Sequence, residues 1–201
     1  MCIICLNFKT GIATLVVICG LIFSACTQPV SNRNYAFPQA QSLLGTEQSV
    51  LLTHILADYL HLKDALVATN AGDADKWSTE MKSSIVLWQQ QLSDSATAVT
   101  GATAYPVLRQ ETDSMLLQLN AMINAKNKDC ELKRIHFKAL SDLIYIIIEK
   151  IDMRGILAYR HYCPMAMNEK GAYWLSASPD IENPYFGQKM LTCGELVDTL
   201  R

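Results

Sequence analysis

SVLLTHILADYLHLKDALVAT, running from Ser49 to Thr69, repeats its apolar residues at helical spacing. Leu52, Ile55, Leu56, Tyr59, Leu62 and Leu66 fall on one face of a helix. Asn70-Ala71-Gly72-Asp73 breaks the pattern, and Asp73 is the predicted N-cap of the next helix. That second helix spans 74–92, with Trp77, Met81, Ile85, Trp88 and Leu92 on one side. So short a break predicts an antiparallel helical hairpin.

Two more helices follow. Residues 93–104 are rich in Ser, Thr, Ala and Gly and read as a loop. Pro106 suits the first turn of a third helix reaching Asn124, with Leu108, Met115, Leu119, Met122 and Ile123 inward. Asn127-Lys128-Asp129 is the next turn. A fourth helix runs from Cys130 to Met153 and buries Phe137, Leu140, Ile144, Ile147, Ile148 and Ile151. Ile146-Ile147-Ile148 is β-branched, but the long periodic context around it favours helix. The expected fold is all-α, an up-down four-helix bundle.

After Gly155 the texture changes to Tyr, Trp, Pro and Gly, and helical periodicity stops. Residues 155–201 are expected to form an irregular but ordered C-terminal cap rich in Cys, Met and aromatics. Short strands fit at Gly155–Tyr162 and Ala172–Ser176. The cap is expected to cross one end of the bundle and bring Cys163 near Cys193.

The N-terminus has a different character. Lys9 precedes an apolar run from Ile12 to Phe23, the pattern of a secretory signal over residues 1–25. Phe23-Ser24-Ala25-Cys26 resembles a bacterial lipobox, which makes the Cys26 thiol the expected site of lipidation. Residues 26–48 are polar, contain Pro29, Pro38 and Gly45, and are expected to form a flexible tether. The domain proper is expected over 49–201. A diacylated N-terminus anchors a protein to a membrane without spanning it. The expected location is therefore the cell envelope, periplasmic or associated with the outer membrane.

The 201 residues carry a formal charge of −2, so there is no basic field for nucleic acid. Of seven cysteines, Cys2, Cys5, Cys19 and Cys26 belong to the signal and lipobox, leaving Cys130, Cys163 and Cys193. An odd number leaves at least one outside any intrachain disulfide. Cys130 lies between Asp129 and Glu131, a setting that disfavours the thiolate, and reads as inert. There is no Ser elbow, phosphate loop or His-Glu-x-x-His, so no enzyme is expected.

Three stretches resemble family 3347 of the bacterial domains of unknown function. They are Tyr59-Leu60-His61-Leu62-Lys63-Asp64-Ala65-Leu66-Val67; Phe137-Lys138-Ala139-Leu140-Ser141; and the series from Tyr162-Cys163-Pro164-Met165 through Gly171-Ala172-Tyr173-Trp174, Asn183-Pro184-Tyr185-Phe186-Gly187 and Met190-Leu191-Thr192-Cys193-Gly194. The resemblance implies a periplasmic helical domain associated with adaptor subunits of heavy-metal efflux pumps. Cys163-Pro164-Met165 is also similar to the Tyr-x-Cys-Pro-Met motif of small heavy-metal-binding modules. Here His161 stands at the motif's Tyr position, and Ala166-Met167 replaces the His-Pro that usually follows.

Two states of the C-terminal cluster follow. Cys163 and Cys193 as thiolates, with Met165, Met167 and Met190 as thioethers and His161 as an imidazole, form a soft donor set suited to Cu(I) or Ag(I). The same two cysteines form a structural disulfide in an oxidising compartment. Zinc fits less well, because a structural site wants four Cys or His ligands. Met81, Met115 and Met122 read as core. His54 and His61 share a helix face and read as surface histidines, and Lys63-Asp64 as a solvated or local ion pair. The expected function is an envelope lipoprotein that binds copper or silver in support of metal efflux. The alternative is a non-catalytic interaction domain, stapled by a Cys163–Cys193 disulfide, that docks on an efflux or envelope partner.

Overall fold

A computed structural model describes residues 33–96, 104–125 and 130–201. The signal, Cys26 and the first part of the tether lie outside the described residues, as does the Asn127–Asp129 turn. Four long helices form as their periodicity predicts: α1 (Thr46–Val67), α2 (Ala71–Ala96), α3 (Ala104–Asn124) and α4 (Glu131–Lys150). Every inward residue named for the first helix is buried, and so is the Phe137-to-Ile151 stripe of the fourth. In α2 and α3 the two exceptions are Trp77 and Ile123, which are half-buried. Met81, Met115 and Met122 are core. Ile146-Ile147-Ile148 is helical.

The α1–α2 break is capped one turn earlier than Asp73. Asn70 Oδ1 accepts the Asp73 backbone N–H at 3.1 Å, while Asn70 Nδ2 donates to the Asp73 carboxylate at 2.6 Å. Asn70 is thus the residue that satisfies the helix start, and Asp73 is its reciprocal partner.

The helices pack in chain order, α1 on α2, α2 on α3 and α3 on α4, while α1 meets α4 over a short stretch. A small sheet fills the space beside that seam, which corrects the all-α expectation. It comprises β1 (Ala158–Cys163), β2 (Ala172–Ser176) and β3 (Glu195–Leu200), all antiparallel, in the order β2-β1-β3. A short turn, α5 (Ala166–Glu169), joins β1 to β2. β2 coincides with the segment expected, and β1 overlaps its own but starts later and ends one residue beyond it, at Cys163. The third escaped because an extra residue, Val197, sits between the residues facing Arg160 and His161, and because most of the strand is exposed. A bulge disrupts the alternation by which half-buried strands are read.

Tyr59 ties the seam together. Its hydroxyl lies 2.7 Å from Ser141 Oγ on α4 and accepts the Leu175 N–H of β2 at 3.0 Å. Its ring stacks on Phe137 at 5.1 Å.

The tether expectation for 26–48 needs correcting from Arg33 onward. Arg33 forms a fork to Glu182, both bonds 2.6 Å, and reaches Asp64 at 3.3 Å. Gln41 and Arg154 exchange backbone hydrogen bonds of 2.9 and 2.8 Å. Ala40 is buried, and Tyr35, Phe37 and Leu44 pack on the core. Polar composition suggested a free chain, yet a few spaced apolar residues and one arginine suffice to dock it.

Candidate functional site

Alternation along β1 sends successive side chains to opposite faces of the sheet. His161 and Cys163 share one face, while Arg160 and Tyr162 share the other. Cross-strand pairing extends the first face, with His161 opposite Trp174 and Cys163 opposite Ala172. The chain from Ala177 to Gly194 then folds back over this face. Asn183 fixes its path: the side-chain oxygen accepts the Tyr185 N–H at 2.7 Å, and Nδ2 donates to the Cys193 carbonyl at 2.6 Å. Gly194 has φ +148°, and a Cβ there would lie 2.8 Å from the Trp174 ring. A side chain at 194 would push the following strand away from β1.

The result is a pair of thiols assembled from segments thirty residues apart. Cys163 Sγ and Cys193 Sγ stand 2.8 Å apart. Cys163 is buried and Cys193 is half-buried, so solvent approaches from the Cys193 side. The shared hydrogen bond with Cys163, then burial, pushes the Cys193 thiol up to about 11. A proton held between two sulfurs is harder to remove than one on an isolated thiol. Cys130, the remaining described cysteine, is buried at the start of α4, with no part in this pair.

The other expected ligands occupy varied positions. Met165 is 47 % exposed on the β1–β2 connection, while Met167 packs partly against the core. Met167, Asn168 and Glu169 all adopt positive φ, 55°, 57° and 64°. Three successive left-handed non-glycine residues cost on the order of 1–2 kcal/mol each. Met190 is half-buried just after a 3-10 turn, Gly187–Lys189, and its carbonyl accepts the Cys193 N–H. His161 is fully buried. Burial first, then the nearby Lys63 charge, lowers it to about 4. The Pro179 carbonyl opposes that drop, although neither ring nitrogen gains a hydrogen bond of normal geometry. Trp174 Nε1, across the strand, is equally unpartnered. The ring is therefore neutral at physiological pH, one pleat repeat along from the thiols. Among the described residues no three His, Cys, Asp or Glu side chains converge as a metal-binding group.

Two sulfurs side by side suit a soft ion of low coordination number better than zinc, which wants four ligands. The unpartnered His161 imidazole on the same face offers a nitrogen donor that the protein leaves unused, whereas the Trp174 indole N–H is a donor only and ligates nothing. The two sulfurs and the imidazole are the features of the site that fit a soft metal.

Sequence reasoning missed the polar cluster beneath this site. Lys63 and Asp64, read as a solvated or local ion pair, do pair locally, but Lys63 is 0 % exposed and Asp64 is buried beside it. Lys63 donates to Asp64 and, at 2.9 Å, to Glu182. Arg33 closes the square from the other side. Tyr35 donates its hydroxyl to Asp64. The Arg33 hydrogen bond is the main reason the Glu182 carboxyl falls to about 2. The signal was present: Lys63 stands four residues after Tyr59 and three before Leu66, inside the apolar stripe. His61, read as a surface residue, stacks on Trp77 at 4.0 Å with Tyr35 edge-on. His54 is exposed. Tyr185 is buried, and its ring faces Phe137 and Trp174.

A family model described as "Protein of unknown function (DUF3347)" matches residues 55–154. The matched stretch contains most of α1 and all of α4, and ends before β1. No curated protein matches the chain, and no solved structure does.

Proposed function

This chain belongs to the DUF3347 family of proteins of unknown function, and we propose that it is a non-enzymatic envelope lipoprotein that binds one soft ion, Cu(I) or Ag(I), through Cys163 and Cys193. The observation that carries the reading is the 2.8 Å approach of two sulfurs from distant segments, one buried and one reachable. Soft thiolates select Cu(I) and its like. Met165, Met167, Met190 and His161 are the proposed auxiliary donors. The proposed role is support of metal efflux or resistance, with the chain held to the membrane by lipid on Cys26 and an efflux adaptor or pump as partner.

Binding by both sulfurs as thiolates releases the proton of each thiol, so Cu(I) affinity rises as pH rises. The test is an anaerobic Cu(I) titration of the reduced chain against a chromogenic chelator. One ion held tightly, and lost in the Cys163→Ser/Cys193→Ser variant, is the expected result. A reduced wild-type chain that takes no copper from the chelator overturns it.

The same 2.8 Å approach favours a second reading, a domain stapled by a disulfide that docks on an envelope partner. A disulfide needs about 2.05 Å between sulfurs, a small further approach. Burial of Tyr185 assigns that ring to the core, so such docking would use another surface. Thiol counting before and after mild reduction separates the readings. One reactive thiol as purified, with no copper uptake after reduction, selects the staple.

A further inference from the structure

The opposite face of β1 holds a second site. Arg160 and Tyr162 project there, beside Tyr173 of β2 and the outer side of α4. Together with the β1–β2 connection they line a cleft of 640 Å³. That volume falls within the range of about 300–1,000 Å³ typical of small-molecule sites.

Arg160 is held in an unusual way. Its guanidinium carbon lies 3.7 Å from the Tyr145 ring centroid and 4.1 Å from that of Tyr173. Two rings at that range hold the guanidinium in place without using its N–H donors. Arg160 Nε is buried and has no hydrogen-bond partner, and the guanidinium makes no ion pair among the described residues. Neither nearby carboxylate forms an ion pair with Arg160. Asp142 pairs with Lys138 at 2.7 Å, and Asp198, opposite Arg160 in the sheet, takes a long 3.5 Å bond from the Tyr145 hydroxyl. Lys170 stands at the rim, exposed and also without an ion pair among the described residues. Gly171 keeps the cleft's shape, since a Cβ there would lie 2.1 Å from the Tyr162 hydroxyl.

A positioned guanidinium with free in-plane donors is a receptor for a planar or tetrahedral oxyanion. Two cations without carboxylate partners favour a dianion over a monoanion. Tyrosine rings around them offer surface to an apolar or planar body. We propose that this cleft binds an organic phosphate monoester, with its phosphate on the edge of Arg160 and beside Lys170 and its body along the tyrosines. A phosphate of this kind comes from a soluble metabolite or from a lipid headgroup. The site is independent of the thiol pair on the other face.

The test is calorimetry on the purified full chain with phenyl phosphate, inorganic phosphate and benzoate, alongside flotation with phosphatidic acid vesicles. Phenyl phosphate should bind with a Kd on the order of 1 mM or tighter, the scale of a single small-anion site. It should outrank both inorganic phosphate, which lacks the body, and benzoate, which lacks the second charge. Arg160→Gln should weaken it about tenfold or more, the loss of charge-assisted hydrogen bonds. Lys170→Ala, on the exposed rim, should weaken it a few-fold and keeps the test alive if the Arg160 variant does not fold. Vesicle binding that falls with Arg160→Gln identifies a lipid source, and soluble binding without vesicle binding identifies a metabolite. No binding of any probe overturns the proposal, as does benzoate equal to phenyl phosphate, or binding unchanged in both variants.

Discussion

Between Thr46 and Lys150 the chain is organised by repeating apolar faces, whereas from Ala158 to Leu200 it is organised by specific polar and aromatic contacts. The helical array buries Leu, Ile, Phe and Met along each helix, with a few buried polar side chains such as Lys133 and Arg134 set among them. The cap has few aliphatic residues to bury. It depends on the Asn183 side chain, on tyrosine hydroxyls and on the Arg33–Glu182–Lys63–Asp64 square. An array of the first kind tolerates exchange of one aliphatic residue for another of similar size. A cap of the second kind loses much when one partner is removed, because the others stay buried and unsatisfied. The thiol pair lies in the cap, and the Arg160 cleft lies between the cap and α4.

The largest expected break is at Lys63, where the two regions share one ion-pair cluster. Lys63→Ala leaves Asp64 buried without its closest cation and should cost about 3–5 kcal/mol in chemical denaturation. A loss below about 1 kcal/mol, the size of a surface ion pair, would mean the cluster is solvated. Next comes Tyr59→Phe, which keeps the stack on Phe137 but removes the hydroxyl shared by Ser141 and Leu175. It should cost about 1–3 kcal/mol, with Trp174 fluorescence reporting a cap that loosens before the helices melt.

Acid should act on the cap first. Glu182 titrates near 2 in the folded chain against an ordinary value of 4.5. Its stabilising contribution is complete above 4.5 and disappears as pH falls from 4.5 to 2. After allowance for its partial exposure that amounts to about 1–2 kcal/mol. Denaturation midpoints should decline through that window, and Glu182→Gln should flatten the decline. The smallest effect belongs to the helices. Asn70→Ala removes a cap and should cost about 1 kcal/mol without altering the Trp174 environment. A change at Trp174 in that variant would show that the two regions are less separate than described.

The same contrast explains what could be read from the sequence. The α1 and α4 faces were legible because a 3.6-residue period survives any tertiary detail. The two strands flanking the β1–β2 connection were legible in outline from their aromatic composition. β3 was not, because Val197 disrupts its alternation. The approach of Cys163 to Cys193 was legible as an expectation about the cap, and the structure places the sulfurs together. Arg160 gave no signal, since nothing in the spacing of Tyr145, Arg160 and Tyr173 indicates that two rings from different elements enclose one guanidinium. The docked segment from Arg33 was hidden for a similar reason. Its hold on the domain depends on Glu182, 149 residues away.

The central claim is that Cys163 and Cys193 act as one unit toward a soft ion. The direct measurement is the alkylation rate of Cys193 in the reduced chain, with and without one equivalent of Cu(I), read by peptide mass spectrometry. In wild type the ion should protect Cys193 strongly, and in Cys163→Ser the protection should disappear. Cys193 alkylated at the same rate with and without the ion would contradict the account, as would protection that survives loss of Cys163.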